Sequence, residues 1–95
     1  MKYQEIEIDG ADEARGYVIP LERCNLVFIT KHNSLLACGA VDVMALDKLD
    51  VPAAKVTGVA TTEELLNGEV KAVNDHAAAR GVTVGESGRD ALAKL

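Results

Sequence analysis

The sequence predicts an α+β fold, a mainly antiparallel sheet of about five strands packed against helices. Three observations lead there. Short alternating or apolar runs fill the first forty positions, while capping-box helix starts fall only in the second half. Between them, a further apolar run follows a helix-sized segment, so it must return to the sheet through a crossover.

Tyr3-Gln4-Glu5-Ile6-Glu7-Ile8 alternates like a strand covered on one side, and Asp9-Gly10 marks a turn. Gly16-Tyr17-Val18-Ile19 starts the second strand, with Pro20 at its end because proline lacks the ladder's N–H. Leu26-Val27-Phe28-Ile29-Thr30 and Ser34-Leu35-Leu36-Ala37-Cys38 form a hairpin about His32-Asn33, where asparagine tolerates a left-handed backbone. Asp42 caps a short helix through about Leu49, and Pro52 marks its boundary. Residues 54–59 supply the fifth strand. Thr61 and Glu64 have capping-box spacing, and Leu65, Leu66, Val70, Val73 and Ala77 fall at helical intervals. Asn67-Gly68 interrupts that stripe, so it is read as one helix or as two pieces. Ser87 and Asp90 repeat the cap before the final helix.

Ninety-five residues and a hydrophobic fraction of 48% support one compact domain over 1–95, with an aliphatic core. Phe28, Tyr3 and Tyr17 are its only aromatic residues. A net charge of −5 without a Lys/Arg run argues against a nucleic-acid partner. The polar start and the short apolar runs argue against a signal segment or a membrane span. Two cysteines in such a chain point to a reducing, cytoplasmic setting.

The hairpin gives a geometric test of the thiols. A His32-Asn33 turn sets Cys38 opposite Val27 and leaves Cys24 about three rows away, roughly 10 Å, beyond disulfide reach. His32 stays at the tip. No C-x-x-C or H-E-x-x-H grammar is present, and no metal or cofactor is expected. Cys38 reads first as a buried small hydrophobe and second as a nucleophile assisted by His76, with Gly39 allowing close backbone approach. Gly85, Ser87, Gly88 and Arg89 offer a helix start with a guanidinium, although Glu86 and Asp90 oppose an anion there. Asp42, Asp47 and Asp50 lack calcium-loop spacing, and Glu63-Glu64 suits the favourable end of a helix dipole.

These motifs also occur in a distinctive order: Asn25-Leu26-Val27, Leu36-Ala37-Cys38-Gly39, Thr57-Gly58-Val59, Thr62-Glu63-Glu64-Leu65-Leu66, then Arg80-Gly81-Val82 and Gly85-Glu86-Ser87-Gly88-Arg89-Asp90-Ala91-Leu92. The chain resembles the YunC-like family, also called domain of unknown function 1805, over most of residues 15–95. The resemblance implies a compact α+β fold and brings no reaction or catalytic set. Family members tend to have a lysine-glycine turn where this chain has Lys31-His32.

Three functional readings fit. The leading one is a small non-enzymatic domain that self-associates and holds a small molecule between sheet and helices. The second is a cysteine-dependent enzyme centred on Cys38. The third is a regulatory anion-binding domain using the Gly85-to-Arg89 helix start.

Overall fold

The computed structural model describes residues 3–8 and 13–95, so the expected Asp9-Gly10 turn lies outside the described residues. The alternating N-terminal run forms β1 (Gln4–Glu7), which pairs antiparallel with β2 (Ala14–Pro20). β2 continues onto β3 (Asn25–Lys31), with Pro20 at its last position opposite Asn25. β3 pairs with β4 (Ser34–Cys38) in the expected register, Phe28 opposite Ala37 and Lys31 opposite Ser34. The turn differs in one detail. The positive φ of 53° falls on His32 and not on Asn33. Asn33 instead donates from Nδ2 to the Asp50 carbonyl at 3.1 Å.

The crossover after β4 is α1 (Val43–Asp47), capped by Asp42 through the amides of Met44 and Ala45. It leads to β5 (Ala53–Val56), parallel to β4 and shorter than the expected 54–59 strand. Thr61 caps α2 (Thr62–Asn67), and the Glu64 carboxylate reaches back to the Ala60 amide at 2.9 Å.

The helical stripe then ends, which corrects the one-helix alternative. The chain leaves α2 at Gly68 and forms β6 (Ala72–Val73), antiparallel to β5, before α3 (Asp75–Ala79) begins at Asn74. Close packing explains the break. A Cβ on Gly68 would overlap Val56 Cγ1 and stand 3.0 Å from the Glu64 carbonyl oxygen. α4 (Gly88–Lys94) follows its Ser87 cap. The fold is therefore α+β, with a mixed six-stranded sheet in the order β1-β2-β3-β4-β5-β6 and four helices among the described residues.

One sheet face carries Val18, Val27, Ile29, Leu36, Ala54 and Val56 into a core closed by Leu65, Leu66, Ala77, Val82, Ala91 and Leu92. Strand alternation turns Ala37 and Ala53 to the other face. Both are fully buried there, and they stand apart from the main core together with Val43 of α1. α1 therefore closes the β4–β5 end of the second face, and among the described residues no helix covers its β1–β3 end.

Candidate functional site

Cys38 ends β4 where the β3–β4 ladder stops. Its side chain is 4% exposed, and its Sγ accepts the Val27 amide at 3.5 Å. A weak sulfur acceptor thus stands in for the next ladder carbonyl. Cys24 is exposed, and both thiols are free. Gly39 lies in the following turn, where a Cβ would press on Thr57 Cγ2 at 3.3 Å.

His76 is held by carboxylates. Its Nδ1 lies 2.7 Å from Asp47 Oδ1 and its Nε2 lies 3.2 Å from Asp50 Oδ1. The His76 amide also donates to Asp47 Oδ1, at 3.1 Å. The Asp47 hydrogen bond raises the His76 pKa above 6.5, against a smaller opposing effect of burial, and the nearby Asp50 and Asp75 charges add to the rise. The same side-chain hydrogen bond, with help from the His76 amide, lowers Asp47 below 3.8. An imidazolium donating through both nitrogens has no lone pair for a proton or a metal. Neither His76 nor Cys38 spends a hydrogen bond on the other. Among the described residues no group of three His, Cys, Asp or Glu side chains converges as metal ligands.

Asn74 fixes this region, a role its place in the apolar stripe conceals. It is 1% exposed. Its Oδ1 accepts the amides of Ala53 and Ala77, and its Nδ2 donates to the carbonyls of Val43 and Val51. One side chain thus ties β5, α3, α1 and the loop before β5, with all of its hydrogen-bonding capacity in use. Asn74-Asp75, ahead of His76 and three alanines, is the available signal for a cap, but these residues lie inside a stripe with helical spacing.

The glycines around α4 have packing roles. Gly85 adopts a φ of 100° and donates its amide to Val70. The Gly88 amide goes to the Gly68 carbonyl, and a Cβ on Gly88 would overlap the Leu65 carbonyl oxygen. Ser87 Oγ accepts the Asp90 amide at 3.1 Å. Glu86 binds the Thr83 amide at 2.6 Å and Lys94 Nζ at 2.8 Å. The Lys94 bond is the larger cause of its lowered pKa, followed by the Thr83 amide. Arg89 makes none of these contacts and lines a cleft with Ile8, Thr62 and Glu63.

The bare sheet face carries an aromatic stack. The rings of Tyr17 and Phe28 lie 5.2 Å apart, and Tyr3 lies 6.2 Å from Tyr17 and is 62% exposed.

The model of the domain of unknown function DUF1805 matches residues 37–95. The chain belongs to the DUF1805 family. A DUF1805 relative, the uncharacterized protein YunC of Bacillus subtilis, is 33% identical, with the match covering 81% of this chain and 80% of YunC. The fold is also that of a crystal structure of a protein of unknown function from Thermoplasma acidophilum, at a TM-score of 0.89 and 23% identity, over 99% of this chain and 93% of that one. No helix among the described residues is long and apolar enough to cross a membrane.

Proposed function

We propose that this DUF1805 chain acts as a non-enzymatic assembly domain that pairs with a second copy of itself through the bare sheet face. The observation that carries the reading is the Tyr3–Tyr17–Phe28 cluster, which lies on the sheet with no helix over it among the described residues. Aromatic side chains are characteristic of the centres of protein interfaces. Molecular extents of 34 × 27 Å leave room for the roughly 800 Å² per partner that a standard interface buries.

The charge pattern favours a second copy as the occupant. One row across the face reads Glu5, Tyr17, Phe28, Ala37, Lys55, with an acid and a base at opposite ends of the apolar centre. Lys55 has no ion pair among the described residues. A two-fold axis parallel to the strands reverses their order and brings Glu5 of one copy to Lys55 of the other. The same operation sets the ridge of α1 beside the bare β1 side of its partner.

Sedimentation velocity at micromolar concentration tests the reading. The expected result is a dimer for the wild type and a shift toward monomer for Tyr3→Glu and Phe28→Ser, with far-UV circular dichroism unchanged. A wild type that stays monomeric, or folded variants that keep the dimer mass, would overturn it.

A further inference from the structure

A cleft of about 260 Å³ opens between the end of β1 and the starts of α2 and α4. Glu7, Ile8, Thr62, Glu63, Leu66 and Arg89 line it. Two observations mark it as more than a surface dent. Glu63 and Arg89 carry opposite signs, yet neither forms an ion pair or a side-chain hydrogen bond among the described residues, whereas Glu7 borders the cleft from a strand position whose side chain shares the Arg15 face. Thr62 is only 8% exposed, and its hydroxyl has no hydrogen-bond partner there either. Its methyl group is turned to the sheet, 2.8 Å from where a Cβ on Gly16 would stand, which leaves the hydroxyl to the cleft. The residue is nearly buried while its hydroxyl stays open to the cleft without a protein partner, so a ligand there can take its hydrogen bond.

We propose that this cleft binds a small zwitterion of the α-amino acid class. The Arg89 guanidinium takes the ligand's carboxylate in a paired, planar contact. Glu63 holds its ammonium group, the Thr62 hydroxyl hydrogen-bonds beside it, and Ile8 with Leu66 supports a short aliphatic side chain. The charge count sets the specificity. One carboxylate and one guanidinium leave a site without net charge, which pairs with both ends of a neutral zwitterion and offers phosphate or a dicarboxylate no second cation. The site lies apart from the aromatic stack, so it does not depend on self-association.

Heteronuclear NMR titration of the full chain tests the proposal, with the twenty amino acids as ligands. Isobutylamine and isovalerate serve as half-ligands with one charged group each, and inorganic phosphate serves as the anion control. The expected result is saturable shifts of the Thr62, Leu66 and Arg89 amides with an aliphatic amino acid, and weaker binding of both half-ligands. Arg89→Leu and the isosteric Thr62→Val should each weaken binding roughly tenfold or more. Both changes preserve the packing, and unshifted amides elsewhere in the spectrum report an intact fold. No saturable shift with any amino acid at millimolar concentration would overturn the proposal. So would wild-type affinity in Arg89→Leu, or phosphate binding as tightly as the amino acid.

Discussion

At the scale of single residues, buried hydrogen bonds divide structural roles from chemical ones. Cys38 spends its thiol on the Val27 amide, so reagent access should separate the two cysteines. Mass spectrometry after thiol labelling should find Cys24 modified at once and Cys38 only on unfolding. Rapid labelling of native Cys38 would restore the nucleophile reading. Cys38→Ala should cost about 1–2 kcal/mol in chemical denaturation, from lost packing and an amide without an acceptor. Asn74→Ala is more severe, because it strands two amides and two carbonyls on three elements and a loop. A loss of about 2–4 kcal/mol is expected by the same assay. The His76 clasp gives stability a defined pH window. His76 is raised in the folded state, so its contribution is full below 6.5 and is lost as pH climbs through the folded value above it. Asp47 is lowered, so its contribution is full above 3.8 and is lost as pH falls through the folded value below it. The clasp therefore holds best between 3.8 and 6.5. Thermal melts of His76→Gln against wild type should converge as pH rises past that window, and a constant gap would assign the effect to packing.

At the scale of elements, the crossing of α2 and α4 depends on glycine. Gly88 sits under the Leu65 carbonyl, a backbone group that cannot swing aside. Gly88→Ala should cost about 1–3 kcal/mol through overpacking. Gly85→Ala isolates the other cause, since its φ of 100° is unfavourable for alanine although no atom stands within 4 Å. Its penalty should be about 1 kcal/mol, and equal losses in both variants would contradict this division. The same contrast explains what was legible in the sequence. The β3–β4 register could be read because a two-residue turn and period-two burial both demand it. Caps at Asp42, Thr61 and Ser87 could be read because each needs only its own side chain and a nearby amide. The end of α2 at Gly68 is set by Val56, twelve positions away, and β6 exists only because β5 offers it an edge. Those causes are tertiary, and a helical interval of apolar residues cannot reveal them. For the same reason Thr62 reads as an ordinary helix residue, and Arg89 only as the guanidinium of a helix start, until the fold sets them in one cleft with Glu63.

At the scale of the whole molecule, the two sheet faces are finished differently, and the proposed pairing of two copies rests on that asymmetry. Helices α2 and α4 close the first face, whereas α1 covers only the β4–β5 end of the second. Hydrophobic contact alone would permit several orientations of a second copy, because burial of apolar area carries no direction. Charge selects among them. With the two-fold axis along the strands, each dimer joins Glu5 to Lys55 twice. With the axis across the strands, Glu5 meets like charge on the partner's β1. Within one copy Glu5 already touches Arg15 Nε at 3.5 Å, at a half-exposed site where the pair contributes little to folding. Lys55→Glu should therefore weaken dimerisation roughly threefold to tenfold, more at low salt than at high. Adding Glu5→Lys to that variant reverses both charges and should restore the wild-type dissociation constant in sedimentation equilibrium. If the double variant is as weak as Lys55→Glu alone, the copies do not meet in the strand-reversed orientation.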